Sequence, residues 1–333
     1  MFSLILTLFS ILNLDPALAL QENHLQNAWN LELKPFLLKG ENIRFKTRDH
    51  LELEGIYFRN PKPRGTIVVL TGFTEPYLKY AELFFDLYQK GYSILGYDHR
   101  GQGLSPHLSQ KNPQAAHCEH FSDYTDDLGF FMDEVVVKKV PDLSNLSLLA
   151  HSMGGAIALS YLELDHHFPF QKVILNAPML SIKTDPYPQF VALSLVQFMH
   201  FLGKQEEYAP GSHAYDPEQP FEKNRVTSSR ARYQLEHEIQ KEYPSAWIGG
   251  PSNAWVEESL LASKQIRLHL NQVKTHLIMT TTGQDEFVNS SEIADSCRSI
   301  RSHCTLFEFP KSKHETLMEQ DPIRDEVFRL ITQ

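Results

Sequence analysis

Two kinds of apolar spacing alternate along most of the chain. Ile43-Arg44-Phe45-Lys46-Thr47 and Leu51-Glu52-Leu53-Glu54-Gly55-Ile56-Tyr57 switch between apolar and polar positions. That is the pattern of half-buried antiparallel strands, so Gln21 to Lys62 is expected to form an entry hairpin. After the breaker Pro61-Lys62-Pro63-Arg64-Gly65, Thr66 to Leu70 is short and rich in β-branched residues. Such a run predicts an interior strand of a mostly parallel sheet. Similar runs recur at Tyr92 to Asp98, Leu146 to Leu149, Val173 to Leu175, Thr275 to Thr281 and Thr305 to Phe309. Between them the spacing turns helical. Tyr80 to Lys90 carries Leu83, Phe84, Leu87 and Tyr88 and stops at Gly91. Phe121 to Val136 opens with Asp123, Asp126 and Asp127, where the helix dipole favours acids. Further helices are expected after Ser152 to about Leu164, up to about Ser299, and from Arg324 to Leu330. Alternating strands and helices imply an α/β fold with right-handed crossovers, in which ligands sit beyond the carboxyl ends of the strands.

The alternation stops between Met179 and about Ser263. Gln189 to Gly203 is apolar on nearly every side, with Ser194, Gln197 and His200 as a thin polar line, so it must be buried or face lipid. Residues 181–263 are therefore read as a mainly helical cap inserted into a core formed by residues 20–180 and 264–333. At the N-terminus an apolar run ends in Ala17-Leu18-Ala19, a signal-peptide h-region followed by an A-x-A site. It is short for a membrane span. Residues 1–19 are read as a cleaved signal for an exported protein, periplasmic or secreted, with a retained anchor or a core helix as the alternatives.

Composition narrows the function classes. Among 333 residues, 31 are basic and 41 acidic, for a net charge of −10, which disfavours a nucleic-acid partner. Cys118, Cys297 and Cys304 make no disulfide framework for so long a chain, although Cys297 and Cys304 could close a small loop in an oxidising compartment. His117-Cys118-Glu119-His120 matches no standard zinc spacing. Asp98-His99-Arg100-Gly101-Gln102-Gly103-Leu104-Ser105 lacks the lysine of a phosphate-binding loop. It is read as structural, with Asp98 and Arg100 bracing the site from below. No metal and no cofactor are expected.

The chemistry concentrates at Ala150-His151-Ser152-Met153-Gly154-Gly155. A serine between a buried strand and a small-residue helix is lifted out of the backbone with its hydroxyl exposed. Such a hydroxyl needs a base at neutral pH. His314, in the loop after the last strand, is the candidate, whereas His303 precedes that strand at its wrong end. Asp285, in the loop after the strand ending near Thr281, would orient the imidazole, with Glu286 as the rival acid. The order Ser152, Asp285, His314 is that of α/β-hydrolases. The N–H groups of Phe73, after Thr71-Gly72, and of Met153 are the candidate oxyanion donors.

Several blocks together resemble bacterial lysophospholipases, relatives of monoacylglycerol lipase within the α/β-hydrolases. These are Leu78-Lys79-Tyr80-Ala81-Glu82-Leu83, the Asp98 to Ser105 loop, Asp123-Tyr124-Thr125-Asp126-Asp127-Leu128, the Ser152 turn and Ala177-Pro178-Met179. Asn224 to Tyr233 and Gly249-Gly250-Pro251 extend the resemblance into the cap. It implies Ser152, Asp285 and His314 as triad, Phe73 and Met153 as oxyanion donors, and hydrolysis of a fatty acyl ester of a lysophospholipid or monoglyceride. A lipid is then the expected partner, with association at a membrane surface. Thr71 stands where monoacylglycerol lipases carry a histidine, a departure that bears on monoglyceride specificity rather than on catalysis. Three other outcomes stay open: a general carboxylesterase, an aminopeptidase using cap acids such as Glu206, Glu207 or Glu222, and a lipid-binding protein without catalysis.

Overall fold

The structure is a computed structural model that describes residues 19–164, 168–300 and 303–333. Apart from Ala19, the residues read as a signal peptide lie outside the described residues. Eight strands form one sheet: β1 (Glu41–Lys46), β2 (Glu52–Phe58), β3 (Gly65–Leu70), β4 (Tyr92–Tyr97), β5 (Leu146–His151), β6 (Phe170–Asn176), β7 (Leu277–Thr282) and β8 (Cys304–Phe309). Their order is β1-β2-β4-β3-β5-β6-β7-β8. The first two pairings, β1 with β2 and β2 with β4, are antiparallel, and all later ones are parallel. β1 turns Ile43 and Phe45 inward and alternate side chains to water, as expected for an edge strand. In β3 and β5 almost every residue is buried, because helices cover both faces.

The helices, in chain order, are α1 (Leu25–Ala28), α2 (Lys34–Leu37), α3 (Ala81–Gln89), α4 (Ser122–Phe131), α5 (Val137–Lys139), α6 (Met153–Glu163), α7 (Gln189–Phe201), α8 (Arg230–Glu242), α9 (Asn253–His269), α10 (Ser290–Ser299) and α11 (Asp321–Thr332). The α/β-hydrolase architecture expected from the sequence, a mostly parallel sheet flanked by helices, is present, here with eight strands.

Two expectations need correction. The entry hairpin is β1–β2, but the chain before it is helical over residues 22–37 rather than extended. Leu25, Ala28, Trp29, Leu33, Phe36 and Leu37 recur at helical spacing and pack into the core beside α3, a 3.6-residue period overlooked beside the clearer alternation downstream. Along α7 only Val196 is buried, while Phe190, Phe198 and Phe201 are exposed. The burial that its apolar sequence allowed is therefore not found along this helix.

Between β6 and β7 lie α7, α8 and α9. The α8 helix is tied to the core by Arg232, whose guanidinium meets the buried Glu82 carboxylate at 3.0–3.2 Å and donates to the Glu319 carbonyl at 2.6 Å. Cys297 at the end of α10 and Cys304 at the start of β8 form a disulfide, with Cα atoms 5.4 Å apart. Cys118 is a buried free thiol.

Candidate active site

Ser152 sits at the turn from β5 into α6 with φ 50° and ψ −114°. A side chain tolerates this backbone only when its surroundings fix it. Here they do: Ser152 N–H donates to the Asn176 carbonyl at 3.0 Å, and the Ser152 carbonyl accepts from Gly155 and Met179 at 2.9 Å each. The turn packs so closely that a Cβ on Gly154 would lie 2.6 Å from the Thr71 carbonyl oxygen, and one on Gly155 would lie 2.7 Å from Pro178.

Three residues far apart in sequence meet at this turn. His314 Nε2 lies 2.8 Å from Ser152 Oγ, and His314 Nδ1 lies 2.7 Å from Asp285 Oδ2. All three side chains are buried. Asp285 follows β7 and is itself held in place. Its Oδ2 accepts from the Thr282 hydroxyl at 2.7 Å, and its Oδ1 accepts from the Phe287 and Val288 amides at 2.8 and 2.9 Å. Burial works to raise the Asp285 carboxyl, but the bond to His314, its charge and the two amides outweigh it and bring the pKa down to about 2. The acid is therefore ionised across the neutral range. Glu286, the rival, points elsewhere and pairs with Arg225 at 2.6 Å on the surface.

Phe73 lies in the turn after β3, and its N–H has no acceptor among the described residues. Met153 is the first residue of α6, where helix N–H groups have no partner within the helix. The turn that carries Phe73 is braced by a residue overlooked in the sequence. Gln102 Nε2 donates to the Gly72 carbonyl at 2.8 Å, and Gln102 Oε1 accepts from the Thr74 amide at 3.0 Å. Asp98 and Arg100, read from the sequence as bracing the site from below, hold the segments next to this turn. Asp98 accepts from the Tyr77 and Leu104 amides at 2.5 and 2.7 Å, and burial pushes its carboxyl up to about 7. Arg100 forks onto Asp127 at 2.6 and 2.7 Å. The clue to Gln102 was its place between Gly101 and Gly103, both at positive φ, which lets the loop fold back beneath β3.

His151 beside the serine is buried, and its Nδ1 lies 3.0 Å from the Asn176 carbonyl oxygen. Burial lowers its pKa to about 4, so the ring is neutral where it packs on His314, with centroids 4.9 Å apart. The cap acids that an aminopeptidase would need are engaged elsewhere. Glu206 accepts from Ser109, Gln110 and Lys111, Glu207 pairs with Lys204, and Glu222 pairs with Arg230. His117 Nδ1 lies 2.9 Å from Ser252 Oγ.

Such a hydrogen-bonded serine, imidazole and carboxylate can transfer an acyl group through a covalent intermediate. Comparison with known proteins agrees with this chemistry. The chain is 30% identical to lysophospholipase L2 of Escherichia coli over 88% of its own length and 86% of that protein. It is 28% identical to the probable lysophospholipase L2 of Haemophilus influenzae, over 90% and 93% of the two chains. Among solved structures, a carboxyl esterase from Bacillus coagulans superimposes with a TM-score of 0.69 at 18% identity, covering 88% of this chain and 96% of that one. A soluble variant of the Saccharomyces cerevisiae monoglyceride lipase gives 0.66 at 17%, covering 89% and 93%. The family model for serine aminopeptidase, S33, matches residues 61–321. With that stretch including the Ser152 turn, Asp285 and His314, the chain belongs to the serine aminopeptidase S33 family of α/β-hydrolases.

Proposed function

We propose that the protein is a serine carboxylic-ester hydrolase that removes the fatty acyl chain from a lysophospholipid. Ser152 Oγ attacks the ester carbonyl carbon while His314 Nε2 takes its proton. The carbonyl π pair moves onto oxygen, where the Phe73 and Met153 amides stabilise it. Collapse re-forms the carbonyl and breaks the bond to the glycerol oxygen, which leaves with the proton from His314. A water molecule deprotonated by the same nitrogen then attacks the acyl-serine. Ser152 Oγ departs with that proton, and the fatty acid is released. Asp285 stays ionised throughout and stabilises the imidazolium.

The observation that carries this reading is the unbroken line from Asp285 through His314 to Ser152, inside residues 61–321 that match the serine aminopeptidase S33 family, together with the overall similarity to lysophospholipase L2. A monoglyceride substrate is the second reading. It is favoured by a putative monoglyceride lipase of Schizosaccharomyces pombe, 32% identical over 42% of this chain and 36% of that protein. Purified protein assayed against lysophospholipid, monoacylglycerol and an aminoacyl amide separates these readings. The lysophospholipid is expected to give the highest kcat/KM, and Ser152→Ala is expected to lose at least about 10⁴-fold. Preference for the amide, or activity that survives Ser152→Ala, would overturn the assignment.

Residues 181–263 form the cap over this site, and the outer face of α7 rests on the lipid surface that presents the substrate. Its exposed Phe190, Phe198 and Phe201 support this reading. The protein is exported after removal of residues 1–19, a reading supported by the Cys297–Cys304 disulfide. Mass measurement of the mature protein tests it: an N-terminus at Leu20 is expected, and one at Met1 would refute it.

A further inference from the structure

Glu75, His151 and Glu315 bring three ligand-type atoms within 4.8 Å of one another, all buried, directly behind the serine turn. Two carboxyls and an imidazole this close are a place for a cation. The chain supplies one: Lys79 Nζ lies 2.8 Å from Glu75 Oε1 and 2.6 Å from Glu315 Oε1. A third carboxylate, Glu236 on α8, stands 3.6 Å away. Lys79 is only 6% exposed, so this is an interior ion cluster and not a surface pair.

Its partners belong to the two loops that the reaction must hold together. Glu75 closes the turn after β3: its Oε2 accepts from the Gly72 amide at 2.7 Å and from the Tyr80 hydroxyl at 2.6 Å. A Cβ on Gly72 would lie 2.5 Å from that same oxygen, so the turn is moulded around the carboxylate. Phe73 is the next residue. Glu315 follows His314, and its backbone amide is anchored to the Val226 carbonyl at 2.9 Å. Burial, and after it the charge of Glu75, push the Glu315 carboxyl well above the usual carboxylate range against the pull of Lys79. Lys79, His151 and the hydrogen bond with Glu315 together outweigh burial and hold the Glu75 carboxyl well below the usual carboxylate range.

We propose that Lys79 is a positioning residue for ester hydrolysis, its ammonium locking the Gly72–Glu75 turn in register with the loop that carries His314. The inference rests on the reading of Phe73 as oxyanion donor and His314 as base. An oxyanion donor and a base are useful only at fixed separation, and a displacement of about 1 Å costs on the order of 10²-fold in rate.

The test is steady-state hydrolysis of a soluble short-chain p-nitrophenyl ester, with thermal melts of every variant. Lys79→Met is expected to lower kcat about 100-fold with KM within about threefold, and Lys79→Arg to recover at least about tenfold of that loss. Tyr80→Phe removes one hydroxyl and keeps the ring, so it decides the matter even where Lys79→Met does not fold. It is expected to lower kcat about fivefold at unchanged KM. A folded Lys79→Met with wild-type kcat, a rise in KM with kcat unchanged, or a Tyr80→Phe with wild-type kcat would overturn the proposal. Wild-type protein that hydrolyses no ester would overturn the underlying assignment, a different failure from wild-type activity that is indifferent to Lys79.

Discussion

Asp285 accepts four hydrogen bonds in a position that is 5% exposed, whereas Phe190, Phe198 and Phe201 on α7 are 71%, 56% and 85% exposed. The two regions spend their side chains differently. Around Ser152 the polar groups are fixed before any substrate arrives, so little reorganisation remains for the reaction itself. Along α7 apolar area is left unburied, at a cost in free energy that only another apolar surface would recover. If α7 captures substrate as proposed, catalytic geometry and substrate capture are separable by mutation.

The largest effect is expected at the carboxylate. Asp285→Asn keeps the shape but leaves the imidazole facing a neutral amide, and it should lower kcat about 10³- to 10⁴-fold on soluble and lipid substrates alike. The same change has a signature in stability. The folded carboxyl titrates near 2 and an unfolded one near 3.8, so the group contributes roughly 2 kcal/mol at pH values above about 4. That contribution falls away as pH drops from about 4 toward 2. Denaturant midpoints should separate wild type from Asp285→Asn at pH 6 and converge near pH 2. A gap that widens on acidification would mean that the carboxylate is not held as its four partners require.

The second effect should touch only one of the two regions. Phe198→Glu combined with Phe201→Glu places charge on the outer face of α7 without reaching the serine. Vesicle-bound lysophospholipid should then be hydrolysed about tenfold more slowly, with hydrolysis of a soluble short-chain ester within about twofold of wild type. Co-flotation with vesicles should weaken in parallel. Equal losses on both substrates would show that α7 supports the active site rather than a surface.

The same contrast explains what the sequence made legible. Ser152, Asp285 and His314 were recoverable because each follows a strand whose pattern is strong, and the α/β alternation says that strand ends converge. Gln102 and the Glu75–Lys79–Glu315 cluster were not, because they act through contacts between loops that have no period. Glu75 reaches Gly72 locally, but its link to Glu315 through Lys79 spans most of the chain. The environment of α7 was equally out of reach, since a helix apolar on most sides reads the same whether protein or lipid covers it. The helical residues 22–37 did carry a usable signal, the spacing of Leu25, Trp29, Leu33 and Phe36.

The smallest effect on rate is expected at the other end of β8. This strand delivers His314 from its carboxyl end, while the disulfide from Cys297 secures Cys304 where the strand begins. If the rim alone sets the chemistry, cutting the disulfide should cost stability and leave kcat nearly untouched. Closing a loop of this length removes entropy from the unfolded chain worth roughly 2.5 kcal/mol. Cys297→Ala with Cys304→Ala should therefore unfold at lower denaturant by about that amount, with kcat on a soluble ester within about twofold of wild type. The hydrogen bonds of His314 to Ser152 and Asp285 do not pass through the disulfide, and β8 remains paired with β7 over six residues in parallel register. A large fall in kcat for a variant that is still folded at the assay temperature would mean that the position of His314 is set along the whole strand and not only by the contacts at its end.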